Sequence, residues 1–156
     1  MKDFERSSVE IGHQYTIVDA VWPRDKEKLF AIRHQVFVVE QEVPEDEEWV
    51  GDDDQFDAVL AIDFEQTPIG TGRLSKDGTI GRMAVLEKWR GRGIGSAILQ
   101  HLVSVATNNG LSKVKLSSQL QALKFYERHG FVAEGEVYLD AGIEHRSMSR
   151  VISGHE

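Results

Sequence analysis

Residues 79–97, TIGRMAVLEKWRGRGIGSA, are the stretch from which the fold can be read. Ile80 to Val85 is an apolar run of strand length, a short basic turn follows, and a glycine-punctuated segment then opens into helical spacing. Gly91, Gly93 and Gly95 alternate with Arg90, Arg92 and Ile94. Without a Cβ, such residues let the backbone approach a ligand closely and turn its N–H groups toward one point. Added to the unpaired donors and positive dipole end of the helix that follows, these groups form an anion site suited to phosphate or pyrophosphate. A tight strand-to-helix turn also needs glycine for structural reasons alone, so at this point both readings stand.

Working outward, the chain before the stretch supplies strands and one helix. Tyr15 to Ala20 reads as a first strand, ended by Trp22-Pro23. From Asp25 the apolar positions fall at helical spacing, with Leu29, Ile32, Val36 and Val39 along one side. Arg33, Phe37 and Glu40 share a neighbouring face; if the helix reaches Glu40, Arg33 and Glu40 sit two turns apart, as an ordinary surface pair or looking into one cleft. Pro44, Trp49 and an acidic segment come next, as a long loop or short helix. Its Asp52, Asp53, Asp54 and Asp57 do not fit a calcium loop, because the sixth and twelfth positions hold Asp57 and Asp63 instead of glycine and glutamate. Ala58 to Ile62 and Ile69 to Leu74 are strands, and Asp77-Gly78 is a hairpin signal into the strand at Ile80.

Beyond the glycines, Ile94, Ala97, Ile98, His101, Leu102 and Val105 form a helical stripe that Asn109-Gly110 stops. His101 on that stripe reads as a packed or edge histidine. Val114 to Ser118 is a strand parallel to the one at Ile80, since a helix of this length makes a right-handed crossover. A short helix from Leu120 to Arg128, a stop at Gly130 and strands near Phe131–Leu139 and His145–Ile152 complete the chain. The pattern specifies an α+β domain, with a mixed, mostly antiparallel sheet and helices on its faces.

Composition narrows the function classes. The 156 residues make one domain, with a core over about 15–152 and a loose tail at 1–13. The formal charge of −8 argues against nucleic acid as a partner, and no apolar run is long enough for a membrane helix. Zero cysteines exclude disulfides, thiolate zinc sites and cysteine nucleophiles. The charged N-terminus lacks a signal peptide's apolar centre, which gives the expectation of a cytoplasmic protein. Charge is unevenly spread: four basic residues against one acidic between Arg82 and Arg92, nine acidic and no basic between Glu42 and Asp57. That distribution fits a polyanionic cofactor at the glycine turn and a cationic substrate elsewhere, although the acidic run also reads as a solvated loop. NAD is disfavoured because the strand after the helix ends in Ser117-Ser118-Gln119 without an acidic ribose partner, and no Gly-Lys-Ser/Thr supports a nucleoside triphosphate.

Arg90 to Gly95, R-G-R-G-I-G, matches the Q/R-x-x-G-x-G/A signature of the GNAT superfamily of N-acetyltransferases, and Ala122 to Phe131, ALKFYERHGF, resembles its second signature. More closely, the chain resembles the ElaA/YjcF-like branch, through Arg33–Gln41 (RHQVFVVEQ) with the following Pro44, Gly70–Arg73 (GTGR) and Asp140–Met148 (DAGIEHRSM). The resemblance spans about residues 15–152. It implies a GNAT fold of about seven strands with a splayed central strand pair, and acetyl-CoA as cosubstrate with no metal. It also implies direct transfer of acetyl to a primary amine in a ternary complex. Met83, Ala84 and Val85 would bond the pantetheine arm and acetyl carbonyl through their backbone. The amides of Arg90, Gly91, Arg92, Gly93, Ile94, Gly95 and Ser96 would hold the pyrophosphate.

Gln119, Ala122 and Phe125 are further cofactor contacts on this reading. Tyr126 matches the tyrosine facing the CoA sulfur and is assigned general acid; a core tyrosine is the plain alternative. Glu40 and His145 are acceptor-side candidates for the base, unranked, and Arg33, Gln41, Arg73 and Asp140 are candidate acceptor contacts. Structural roles for His145, Arg33 and Arg73 stay open beside these. The chain departs from the pattern in Ser118-Gln119 where the branch has Ala-Gln. Ile80-Gly81 also stands where some relatives carry a glutamate base, so that part of the mechanism does not transfer. The acceptor expected from the acidic run is a small cationic amine. Alternatives are a protein lysine or N-terminus, which an open groove would favour, or a non-catalytic acyl-CoA-binding module. Monomer and homodimer are both open, the latter through an exposed last strand.

Overall fold

A computed structural model of the chain describes residues 14–42 and 55–152. The expected loose tail at 1–13, and the part of the acidic segment holding Pro44, Trp49 and Asp52 to Asp54, lie outside the described residues. One sheet of seven strands runs in the order β1-β2-β3-β4-β5-β7-β6. Its strands are β1 (Tyr15–Asp19), β2 (Asp57–Asp63), β3 (Pro68–Leu74), β4 (Thr79–Val85), β5 (Lys113–Gln119), β6 (Val132–Asp140) and β7 (Ile143–Val151). All neighbours pair antiparallel except β4 and β5. Among the described residues the helices are α1 (Lys26–Arg33), α2 (Ile94–Asn108) and α3 (Leu123–Arg128), with 3-10 turns at Glu87–Trp89 and Leu120–Ala122. The α+β class, the β2–β4 meander, the parallel crossover through α2 and the closing strands all match the sequence reading.

Alternation along β2 divides the core. Leu60 and Ile62 point to one face, where Leu29, Ile32 and Val36 cover them; Val59 and Ala61 point to the other, under Ile98, Leu102 and Ala106 of α2. The G-T-G-R stretch of β3 is explained by this layering. A Cβ on Gly72 would lie 2.9 Å from Ile98 Cγ2 and from Met83 Sδ, so only a glycine lets α2 settle against the sheet. Thr71 faces the other way and donates its hydroxyl to the Val59 carbonyl at 2.8 Å.

Two elements differ from expectation. The first helix does not continue as an α-helix: from His34 to Glu40 its turns widen to π-helical geometry, with Gln41 N–H bonding Val36 C=O at 3.0 Å. The wider turn rotates the apolar stripe, so Leu29, Ile32 and Val36 are buried while Val39 is 54% exposed. It also separates Arg33 from Glu40. Arg33 is 0% exposed and enclosed by the protein, whereas Glu40 reaches the surface, so the two do not share a cleft. The last strand, β7, is an inner strand between β5 and β6, and the edge belongs to β6 with Val132 and Leu139 exposed. The last strand is therefore not the exposed sheet edge on this side; β6 is.

What positions the site is the incomplete pairing of the parallel pair. β4 and β5 register only at Thr79↔Lys115 and Ile80↔Leu116. A bulge on β4, where Arg73 opposes Gly81 but Thr71 opposes Ala84, turns the strand away from β5 beyond that point. A wedge opens between the two strands.

Candidate active site

The wedge is a cavity of about 750 Å³, walled by Gly81 to Val85 on one arm and Leu116 to Gln119 on the other. Leu86 N–H bonds Ile69 C=O at 2.9 Å, which makes Val85 and Gly70 the non-hydrogen-bonded pair of the β3–β4 ladder. The Val85 peptide groups therefore point away from β3, into the wedge, as required of a strand that receives an extended ligand.

Arg90, at the start of the basic glycine turn, lines this cavity, while Gly91 to Ser96 and Phe125, expected as cofactor contacts, lie outside its lining. Gly93 is the N-cap of α2 with φ +85°, a left-handed conformation that an L side chain rarely adopts. The first helical bond is Ala97 N–H to Gly93 C=O at 3.0 Å, which leaves the amides of Ile94, Gly95 and Ser96 without intrahelical acceptors. These donors and the helix dipole fit an anion such as the diphosphate of CoA. A Cβ on Gly95 would meet Phe125 Cζ at 3.5 Å, an ordinary van der Waals contact, so packing against α3 does not itself require glycine there. The side chains of the turn are already engaged. Arg92 lies over the Trp89 ring at 4.7 Å, and Arg90 is held by Glu40 and the Val85 carbonyl. The donors left free at this turn are therefore backbone amides.

Eleven expected residues come together on the cavity wall: Met83, Ala84, Val85, Arg90, Gln119, Ala122, Tyr126, Gln41, Arg73, Asp140 and His145. Tyr126 is 9% exposed and packs edge-on against Phe125 and Phe131 at 5.0 and 5.9 Å. Burial pushes its phenol up to about 12, and among the described residues its hydroxyl has no hydrogen-bond partner. His145 is fixed from both sides. Nδ1–H donates to the Ile143 carbonyl at 2.7 Å, which leaves Nε2 of the neutral ring with its lone pair, and the ring stacks on Tyr138 at 6.0 Å. Tyr138 is anchored in turn by a hydrogen bond to Ser117.

Two expected acceptor-side residues are elsewhere. Arg33 is buried beneath the cavity, 5.9 Å from the Phe30 ring, and does not reach the wall. Glu40 places both carboxylate oxygens 2.7 Å from Arg90 nitrogens, and this partner holds its carboxyl below the usual carboxylate range. A carboxylate so engaged is poorly placed to take a proton from an acceptor.

The structure adds residues that the sequence reading did not single out. Arg82 lies on the β4 bulge with φ +51° and shares the cavity with Phe37, whose ring is 5.9 Å from its guanidinium. Phe56 stacks 3.8 Å below Arg73. His129 Nε2 sits 2.9 Å from Ser96 Oγ, at the first turn of α2. Burial, then Arg128 and Arg150, lower the His129 pKa below the ordinary 6.5, so its ring is neutral at neutral pH. The available signal was a charged residue inside the otherwise apolar run of β4. Among the described residues no three acidic or histidine side chains gather as a metal site.

Residues 26–152 match the acetyltransferase (GNAT) domain family. The chain is 37% identical over 138 residues to an uncharacterized N-acetyltransferase, YjcF, of Bacillus subtilis, covering 84% of this chain and 98% of that one. A crystal structure of an acyl-CoA N-acyltransferase from Pseudomonas aeruginosa is 29% identical and superposes with a TM-score of 0.75 over 88% of this chain and 98% of its own. That of Escherichia coli ElaA is 25% identical, with a TM-score of 0.76 over 88% of this chain and 99% of its own.

Proposed function

The chain belongs to the GNAT acetyltransferase family and is an acyltransferase, and from that premise we propose that it moves acetyl from acetyl-CoA directly to a small primary amine inside the β4–β5 wedge. The observation that carries this reading is the wedge itself. An outward-facing strand backbone, a buried phenol, an oriented imidazole and Arg90, which leads into the glycine turn and helix end, all border one cavity of about 750 Å³. That volume is of small-molecule size, which favours a small amine over a protein segment lying in a shallow groove. The described part of the wall carries both signs, with Arg73, Arg82 and the Glu40-paired Arg90 against Asp77 and Asp140. Asp77 is matched to Lys115 at 3.5 Å, and Asp140 is the carboxylate on the wall beside the β6–β7 turn.

Acetyl-CoA supplies an activated acyl group as a thioester; the protein supplies position and proton handling. The Ile94 to Ser96 amides hold the diphosphate, and the Val85 edge of β4 aligns the arm. A lysine-like amine of pKa ~10.4 arrives protonated, and freeing it at neutral pH costs about 4–5 kcal/mol. His145 Nε2 accepts that proton, directly or through one water, and the Ile143 carbonyl keeps the ring in the accepting tautomer. The amine then attacks the acyl carbon with no acyl-enzyme, and the C–S bond breaks as the amide forms. The second nitrogen proton passes to solvent, and Tyr126 donates a hydrogen bond to the departing thiolate. Calorimetric titration with acetyl-CoA, with NADH and ATP as controls, tests the cofactor assignment, and an amine screen by thiol release follows. Selective micromolar binding supports the reading; a folded sample that does not bind acetyl-CoA refutes it.

A further inference from the structure

Glu40 and Gln41, the last turn of the π-helical segment, touch opposite arms of the wedge. Glu40 holds both terminal nitrogens of Arg90 at 2.7 Å, and Arg90 Nε donates to the carbonyl of Val85, the last residue of β4, at 2.8 Å. Gln41 Oε1 accepts from Gln119 Nε2 at 3.0 Å, and Gln119 is the last residue of β5. Gln121 in turn donates to Gln119 Oε1 and fixes that amide's orientation. The strands themselves stop pairing at Ile80 and Leu116, so the sheet hydrogen bonds do not set the separation of their far ends.

We propose that Glu40 and Gln41 are positioning residues that clasp the two arms of the wedge at its open end, so that the acceptor-side helix sets the width of the cofactor channel. Glu40 then acts through Arg90 on the Val85 peptide and the glycine turn, and not as a base. The π-helical geometry is part of the device. Widened turns bring two consecutive residues to the mouth, where an α-helical continuation would have kept Glu40 on the face of Arg33. Phe37 and Gln41 line the cavity from the same segment, so an acceptor that shifts it changes the grip on both arms. By linkage, acetyl-CoA and acceptor would raise or lower each other's affinity by one common factor.

The proposal takes acetyl-CoA as the occupant of the wedge from the reading above, yet the clasp is testable without ligand. Hydrogen exchange on the parent, Glu40→Gln and Gln41→Ala is the first readout. Exchange is expected to quicken at least fivefold around 85–93 in Glu40→Gln and around 117–121 in Gln41→Ala, with the rest of the sheet unchanged. The second readout is acetyl-CoA affinity. Each variant should weaken it by roughly three- to tenfold, and Arg90→Lys should behave like Glu40→Gln because an ammonium lacks the guanidinium fork. Combining Glu40→Gln with Arg90→Lys should add nothing further. The shape of the kcat–pH profile should survive in Glu40→Gln. Parent-like exchange at both arms overturns the clasp, as does Glu40→Gln with parent-like affinity and a lost acid limb, which would make Glu40 the base. A parent that binds no acetyl-CoA overturns the cofactor reading, and hydrogen exchange still decides the clasp.

Discussion

Tyr126→Phe removes one oxygen and leaves the packing of the ring in place. The edge contacts to Phe125 and Phe131 involve only ring carbons, and among the described residues the hydroxyl has no partner to lose. Folding stability at neutral pH should therefore change by less than about 1 kcal/mol. The chemical effect is bounded by acidity. A phenol held at about 12 stays protonated throughout any assay range, but an aliphatic thiol of pKa ~8.5 cannot take its proton outright at equilibrium. The hydroxyl helps by hydrogen-bonding the developing thiolate in a site with little water, and full protonation follows from solvent. Such a donor corresponds to a fall in kcat of about 10–100-fold, or roughly 1.4–2.7 kcal/mol. The assay is thiol release at saturating acetyl-CoA and amine, beside calorimetric affinity for acetyl-CoA, which should be unchanged.

The same shift fixes a pH signature of stability. The folded pKa lies above the unfolded value, so below pH 10 the phenol is neutral in both states and carries no penalty. As pH rises toward about 12 the unfolded chain ionises first, which produces a decline in stability. It amounts to roughly 2–3 kcal/mol across that interval, and Tyr126→Phe should lack this part of the alkaline decline. A variant that turns over like the parent at every pH, or whose whole deficit is acetyl-CoA affinity, refutes the assignment.

Three other substitutions probe separate parts of the argument. His145→Gln keeps a polar side chain but cannot take a proton, so kcat/KM should fall about 10²–10³-fold and the acid limb of its pH profile should disappear; a parent-like profile would remove His145 as base. Gly93→Ala places a Cβ at φ +85° and should cost about 1–2 kcal/mol by denaturant titration. It should also weaken acetyl-CoA binding measurably, and unchanged affinity would dissociate this turn from the cofactor. Gly72→Ala puts a methyl 2.9 Å from Ile98 and Met83, so overpacking should lower stability by about 1–3 kcal/mol. A parent-like midpoint in denaturant would show that α2 can shift freely.

Local pattern was enough to specify most of the fold. The apolar runs at Ala58–Ile62 and Ile80–Val85, the Asp77-Gly78 turn and the long stripe from Ile94 to Val105 each carry their own periodicity. The glycine turn was legible for the same reason, because backbone donors at a helix start are a property of a few consecutive residues. The first helix misled beyond Arg33. Periodicity assumes a constant turn angle, and nothing in H-Q-V-F-V-V-E announces the change to π-helical turns that carries Glu40 away from the buried Arg33. His129 was passed over because its partner, Ser96, is distant in sequence.

The sequence by itself thus determined the strands, the crossover helix and the glycine turn at its start, since hydrophobic period and backbone conformation are local. Only the tertiary structure decided which polar side chains face the wedge and which fasten it. Glu40 is spent on Arg90, Gln41 on Gln119 and His145 Nδ1 on Ile143 C=O, and two of these three bonds join segments about fifty or more residues apart. A carboxylate's role depends on what stands within hydrogen-bond reach, and that is set when the sheet, the bulge and the widened helix come together.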